Sequence, residues 1–232
     1  SRLLSRPELG AVAGTLLVIA FFAVTAGNSG LFSAKGIVNF LEVSAQLGIV
    51  ASAVALLMIA GEFDLSVGSM IAFSGILIAI PATQYGWPLW AAILLAFASA
   101  ALVGALNGYI VVKTGLPSFI VTLGGLFALR GLTLGITRTI TGRTQVSGVH
   151  EQLNDPLVSL FAGQFGGGMM RWLADAGLID KRTDGLPIVQ GIPVSILWWL
   201  GLTAVFTWIL LRTRFGNWIF AVGGDPNAAR NM

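Results

Sequence analysis

Six apolar segments, each close to the length of a bilayer-spanning helix, dominate the sequence. A spanning α-helix needs about 20 mainly apolar residues. We predict spans at about residues 9–26, 37–60, 65–80, 89–112, 117–137 and 194–211. Pro81 is expected to end the third span and Pro117 to open the fifth, since proline suits a first helical turn. The pattern predicts an all-α, polytopic transmembrane helix bundle.

Composition supports a protein surrounded by lipid. Of the 232 residues, 56% are hydrophobic and 10% are charged, whereas a soluble domain has about 25% charged residues. A cleavable signal at the first segment is the alternative to a retained span, but the apolar run is long for a signal and further spans follow it. The lipid bilayer is therefore an expected partner of the chain.

The sequence lacks the residues that several classes of function require. The sequence contains no cysteine and a single histidine, His150, which argues against thiolate metal sites and a multi-histidine site. No lysine follows a glycine, so a Walker A phosphate loop is missing. The net charge is +3, but its basic residues do not alternate with aromatic residues. We predict no catalytic residue, metal, cofactor or nucleic-acid partner, and no enzymatic activity.

Basic residues at the ends of the short segments predict the orientation. Arg2 and Arg6 precede the first span, Lys113 follows the fourth, and Arg212 and Arg214 follow the sixth. Positive residues favour the cytoplasmic side, which places the N-terminus in the cytoplasm.

We treat residues 1–232 as one transmembrane domain, and the same orientation assigns its loops to the two sides of the membrane. Residues 138–191 become an extended periplasmic loop and residues 212–232 a cytoplasmic segment. Residues 169–179 in the loop are expected to form a short amphipathic helix on the membrane surface. An outer aromatic belt is predicted from four tryptophans: Trp87, Trp90, Trp198 and Trp199.

The segment at residues 61–69, GEFDLSVGS, places two carboxyl side chains between apolar runs. Asp64 has two compatible interpretations. It can cap the next helix by accepting hydrogen bonds from its first N–H groups, or it can mark a broken helix that faces a polar cavity, as in many transporters. Glu62 is expected to pair with a basic group on the cytoplasmic side.

Polar residues inside two spans are candidates for a substrate pathway. Asn39, Glu42 and Gln46 are spaced to share one face of the second span, and lipid would not accept that face. Arg130 lies about 20 Å into the fifth span at 1.5 Å per residue. The alternatives are hydrogen bonding between helices for the stripe and snorkelling to the outer interface for Arg130.

Two GxxxG motifs lie in apolar helices. Gly104 and Gly108 form one, and Gly131 and Gly135 form the other. Such motifs allow close helix packing.

Four ordered segments resemble the ribose- and xylose-type ABC permeases of the branched-chain and monosaccharide permease family. Residues 61–69 are similar to the family's GGIDLSVGS, and residues 115–124, GLPSFIVTLG, to its GxPxFIVTLG. Arg130-Gly131 matches a following RG pair, and residues 215–217 with 221–230, FGN and AVGGDPNAAR, resemble FGRxxYAIGGNxxAAR. Glu62 and Phe63 depart from the family's usual Gly and Ile.

The resemblance implies a vitamin B12-importer-like permease fold of about ten spans, of which this chain would hold about six. It implies the bacterial inner membrane, a second permease subunit, a cytoplasmic ATP-binding subunit and a periplasmic sugar-binding protein. The substrate would be a monosaccharide such as ribose, xylose or fructose. Nucleosides, branched-chain amino acids and a secondary transporter remain alternatives, and the polar stripe argues against a protein with no substrate.

The resemblance also assigns residues to roles. The helix-break motif comprises Gly61, Glu62, Asp64, Ser66 and Gly68. Asp225 would cap a short coupling helix that begins at Pro226. The segment that contacts the ATPase would comprise Gly216, Gly223, Gly224, Asp225, Ala228, Ala229 and Arg230.

Overall fold

The computed structural model of the protein describes residues 7–27, 29–149 and 155–224. These ranges are almost entirely helical. The helices are α1 Pro7–Ala26, α2 Ala34–Ile59, α3 Val67–Gln84, α4 Leu89–Thr114, α5 Ser118–Thr141, α6 Pro156–Ala162, α7 Gly167–Asp175, α8 Val194–Arg212 and α9 Arg214–Gly224. Two short strands, β1 Gln164–Phe165 and β2 Ile192–Pro193, complete the elements.

The described residues contain six helices long and apolar enough to span a bilayer, α1 to α5 and α8. This confirms the predicted polytopic helical bundle. The α5 helix begins at Ser118, with Pro117 as its N-cap, and continues to Thr141. It therefore extends four residues beyond the predicted end of the fifth span.

We had expected Pro81 to end the third span, and this prediction is wrong. Pro81 lies inside α3, which continues to Gln84. A proline removes one N–H donor but has a backbone φ compatible with a helix. Its carbonyl oxygen still accepts hydrogen bonds from the N–H groups of Tyr85 at 3.3 Å and Trp87 at 3.0 Å. These bonds close the helix one turn after the proline.

One compact unit comprises residues 48–163 together with the chain from Trp198 onward. In it, α3, α4 and α5 pack against one another. Their contacts bury mainly small or polar side chains, with a few larger apolar ones: Ile80, Ala82, Leu89, Ala92, Ala96, Asn107, Thr122, Leu129 and Thr137. Small residues allow membrane helices to approach closely, because packing there does not depend on expelling water.

The α2 and α8 helices also meet within this unit. Gly48 leaves space for the indole of Trp199, which a methyl group at Gly48 would overlap. One turn away, the hydroxyl oxygens of Ser52 and Thr203 lie 3.0 Å apart in a hydrogen bond. Trp199, expected in an aromatic belt, is therefore also a helix-packing residue.

The other compact unit comprises the chain up to Leu47 together with residues 164–197. Here β1 and β2 pair antiparallel, with Gln164 opposite Pro193 and Phe165 opposite Ile192. The predicted amphipathic helix of the loop is present as α7, which buries Met170 and Ala174. It begins two residues earlier and ends four residues earlier than predicted.

Candidate functional site

The connection between α2 and α3 is an unwound segment rather than a simple turn. Gly61 adopts a positive φ of 83°, a conformation that a residue with a side chain rarely accepts. Its N–H donates to the Met58 carbonyl at 3.0 Å, and the Glu62 N–H donates to the Leu57 carbonyl at 3.1 Å. Residues 62–64 have no regular secondary structure, and α3 begins at Val67, after its N-cap Ser66.

Asp64 organises the start of α3, but not as the predicted helix cap. The N-cap is Ser66, which makes no side-chain capping bond. The Asp64 Oδ1 atom instead accepts hydrogen bonds from the Ser66 N–H at 2.8 Å and from the Ser66 hydroxyl. The carboxyl group therefore holds the residue that precedes the helix, because the unwound segment places Asp64 too early to reach the first turn.

Hydroxyl groups of α5 satisfy the backbone of the unwound segment. The Phe63 N–H donates to Ser118 Oγ at 3.0 Å, and the Leu65 N–H donates to Thr122 Oγ1 at 3.1 Å. The Thr122 hydroxyl in turn donates to the Ser118 carbonyl at 2.8 Å. Irregular backbone inside a membrane protein requires such internal partners, since lipid offers none.

Asn107 of α4 completes this cluster. Its Nδ2 group donates to Ser66 Oγ at 3.2 Å. Ser66, Asn107 and Thr122 are 2%, 8% and 4% exposed. A methyl group at Gly125 of α5 would lie 3.2 Å from Asn107 Oδ1, so a side chain larger than glycine would press on the amide. We call Asp64, Ser66, Asn107, Ser118 and Thr122 the polar hub.

The polar hub is a set of hydrogen bonds between an irregular segment and two helices. Its hydrogen bonds connect the unwound segment to both α4 and α5. In the described ranges, no group of three or more His, Cys, Asp or Glu side chains could hold a metal ion. Neither ion pair among the described residues, Lys181 with Asp175 and Arg182 with Asp184, involves Glu62, so the expected cytoplasmic partner of Glu62 is not found there.

Arg130 lies near the middle of α5, which runs from Ser118 to Thr141. It lines a cleft of about 420 Å³ between α3 and α5. Hydroxyl groups of Ser69 and Thr133 line the same cleft, together with Gly68 of the helix-break motif. The structure thus places the intramembrane cation beside two neutral hydrogen-bonding side chains.

The polar stripe of α2 belongs to the other compact unit. Asn39 lines a polar cleft of about 250 Å³ together with Lys35, Gln164, Arg182 and Gln190. Glu42 is half-buried and Gln46 is exposed. The shared face predicted for the three side chains agrees with the continuous helix, and their role in a pathway stays a prediction.

The glycines assigned to the segment that contacts the ATPase differ in their surroundings. Methyl groups at Gly216 and Gly223 would overlap neighbouring backbone, whereas no atom lies within 4 Å of the corresponding position at Gly224. The remaining residues of that assignment, and the helix cap predicted there, lie outside the described residues: Asp225, Ala228, Ala229 and Arg230.

The two GxxxG motifs make no close contact in the part of the chain that the structure describes. At Gly104, Gly108, Gly131 and Gly135, no atom lies within 4 Å of an added methyl group. The expected packing across these motifs is therefore not made among the described helices.

Sequence reasoning missed Asn107 and the contact roles of Ser118 and Thr122. Asn107 carried a usable signal, because an amide in an otherwise apolar span needs an internal partner. Ser118 and Thr122 stood inside a recognised motif, but nothing local indicated that they accept hydrogen bonds from residues more than 50 positions earlier. The α9 helix was also missed.

Comparison with known proteins defines the class. The model of the branched-chain amino acid transport system / permease component family matches residues 36–232. This range covers most of the chain and includes the polar hub. The protein belongs to this family of ABC permeases, and its six apolar helices make it a multi-pass inner membrane protein.

Curated relatives are permeases named for small substrates. The xylose transport system permease XylH of Escherichia coli K12 is 30% identical over 94% of this chain and 63% of its own length. The fructose import permease FrcC of Rhizobium meliloti is 27% identical over 93% of this chain and 52% of its own length. The autoinducer 2 import permease LsrD of Klebsiella pneumoniae is 30% identical over 79% of this chain and 47% of its own length.

The chain thus spans about 63% of the length of the xylose permease that it matches. No solved structure matches the chain significantly.

Proposed function

We propose that this chain is part of a permease subunit that moves a monosaccharide, such as xylose, fructose or ribose, across the bacterial inner membrane. Two of the relatives are named for xylose transport and for fructose import, which supports a sugar as substrate. In the proposal, a periplasmic binding protein delivers the sugar and two permease subunits enclose the path. The N-terminus is cytoplasmic, and a separate cytoplasmic ATPase supplies the energy.

The observation that carries the proposal is the position of Arg130. Its side chain is exposed on the surface of the chain, halfway along a spanning helix. A cation is too costly to leave in lipid, so intramembrane charges face protein or a water-filled cavity. In this cleft the guanidinium of Arg130 can donate to sugar hydroxyls, and the hydroxyl groups of Ser69 and Thr133 can donate to or accept from them.

The chemistry of this cleft favours a neutral polyol over an amino acid. A zwitterionic amino acid needs a partner for its ammonium group, usually a carboxylate. Among the residues that the structure describes, those that line the Arg130 cleft include no Asp or Glu: Gly68, Ser69, Ala72, Leu126, Arg130, Thr133 and Leu134. Nucleosides share the sugar hydroxyls and remain the second substrate class.

The test is uptake into proteoliposomes or membrane vesicles that hold the full-length permease with its proposed partner ATPase and binding protein. We expect ATP-dependent accumulation of a labelled pentose or hexose, with weak competition by leucine. Uptake driven by an ion gradient without the ATPase would contradict the proposal and favour a secondary transporter. Preferential uptake of leucine would favour the amino-acid alternative.

Arg130→Gln tests the pathway itself. A hydrogen bond to a charged group contributes about 1.5–3 kcal/mol, so we expect kcat/KM for uptake to fall about ten- to a hundredfold. Arg138→Gln is the matched control, because Arg138 is an exposed arginine in the last turn of the same helix. An equal fall in kcat/KM for both variants would show that Arg130 has no specific role in the transport pathway.

A further inference from the structure

The α9 helix has two unlike faces. Gly216, Ile219 and Gly223 are spaced by three and four residues, which places them on one side of the helix. Gly216 and Ile219 are buried. Phe215 and Trp218, which precede the two buried residues, are 57% and 65% exposed, and Gly223 near the helix end is exposed as well.

Gly223 touches the end of α2 through backbone atoms. A methyl group at Gly223 would overlap the carbonyl oxygen of Ile59 and would lie 3.0 Å from the Ile59 carbonyl carbon and 3.3 Å from the Ala60 Cα. From the other direction, a methyl group at Gly61 would lie 4.0 Å from the Gly223 Cα. Because backbone is on both sides, no side-chain rotation can relieve an added methyl group.

The contact lies next to the polar hub. Gly61 is two residues before Phe63, whose N–H donates to Ser118 of α5. Five residues after Gly61, Ser66 accepts from Asn107 of α4. A short path of backbone and hydrogen bonds therefore connects α9 to α4 and α5 through the end of α2.

We propose that Gly223 is a positioning residue, which seats α9 directly on the end of α2 and so transmits movement of α9 to the polar hub. The inference rests on the proposed function, because it concerns how a cytoplasmic ATPase would act on the permease. It changes the role that family resemblance assigned to Gly223. The residue contacts the end of α2 through backbone atoms, and the ATPase binds elsewhere on the cytoplasmic surface.

Gly223→Ala and Gly201→Ala form a matched pair of substitutions at helical glycines, since Gly201 of α8 has no neighbour within 4 Å of an added methyl group. In proteoliposomes with the partner ATPase and binding protein, we expect Gly223→Ala to lower ATP-driven sugar uptake about tenfold, the factor that corresponds to an overpacking cost of about 1.4 kcal/mol. Gly201→Ala should transport like the wild type. The ATPase should still co-purify with both variants.

Three outcomes separate the possibilities. Normal uptake by Gly223→Ala would overturn the inference, and so would loss of ATPase binding, because Gly223 would then be a docking residue. Absence of ATP-driven sugar uptake in the wild type would instead count against the proposed function.

A cross-link keeps the inference testable if Gly223→Ala fails to fold. The sequence has no cysteine, so Ala60→Cys with Val222→Cys introduces a single reactive pair beside the contact. We expect a short bis-methanethiosulfonate reagent, which links the two thiols through disulfide bonds, to block uptake until a thiol reductant breaks those bonds, while each single variant stays active. A pair that does not cross-link, or a cross-linked permease that transports normally, would contradict the inference.

Discussion

Ser66→Ala probes the polar hub most directly, because the Ser66 hydroxyl joins the unwound segment to α4. It donates to Asp64 Oδ1 and accepts from Asn107 Nδ2 at 3.2 Å. The substitution removes both bonds and leaves the Asn107 amide, 8% exposed, without this acceptor. The unwound segment would then lose its connection to α4.

The expected magnitude follows from these two bonds. Side-chain hydrogen bonds between membrane helices contribute about 0.6 kcal/mol on average and up to about 1.7. The bond to the carboxyl group lies toward the upper end, since charge strengthens it, and the orphaned amide adds a desolvation cost of about 1–3 kcal/mol. We expect Ser66→Ala to lower the free energy of unfolding by about 2 kcal/mol.

A double-mutant cycle isolates the interhelical bond. Asn107→Ala should cost about 1 kcal/mol, because the Ser66 hydroxyl keeps its bond to Asp64. The double variant should cost less than the sum of the two single variants by about 1 kcal/mol, since both remove the same bond. Reversible unfolding in detergent micelles, followed by tryptophan fluorescence, measures each value.

Ser99→Ala is the control for this cycle. The Ser99 hydroxyl donates to the Ala96 carbonyl of its own helix at 2.8 Å, so its loss should change stability by less than about 0.5 kcal/mol. Strictly additive effects of Ser66→Ala and Asn107→Ala would refute the reasoning, because they would show that the two side chains do not interact in the folded protein.

Two further predictions concern helix packing and surface charge. Gly48→Leu should destabilise the protein by about 1–3 kcal/mol, because it overlaps the indole of Trp199; thermal unfolding in detergent measures the change. Asp175→Ala should change stability by less than about 1 kcal/mol, although Asp175 lies 2.7 Å from Lys181, since the two side chains are 73% and 43% exposed.

A different result would contradict each of these two predictions. Gly201→Leu is the control for Gly48→Leu, because Gly201 on α8 has no atom within 4 Å of an added methyl group. Similar destabilisation by both leucines would contradict the packing argument. A loss above about 2 kcal/mol for Asp175→Ala would exceed what an exposed ion pair contributes and would require another role for that carboxyl group.

The number and approximate place of the six spans could be predicted from the sequence, because a run of apolar residues is sufficient to place a helix in lipid. The ends were less predictable. Pro81 was expected to end the third span but lies inside α3. The helix continues past it because the N–H groups of Tyr85 and Trp87 donate to its carbonyl, and these bonds depend on how the chain turns after the helix. The α9 helix was hidden because a helix of 11 residues is too short to register as a span.

The candidate site divides in the same way. Its helix-break motif was visible in the sequence, as were two carboxyl groups and an arginine among apolar residues. The tertiary structure decided which groups they meet. Ser66 bonds to Asn107, 41 residues later, and the Phe63 N–H to Ser118, 55 residues later. The apolar content of a segment is a local property, and it is sufficient to place that segment in lipid. Hydrogen bonds between helices depend instead on which helix faces pack together, and only the tertiary structure gives that.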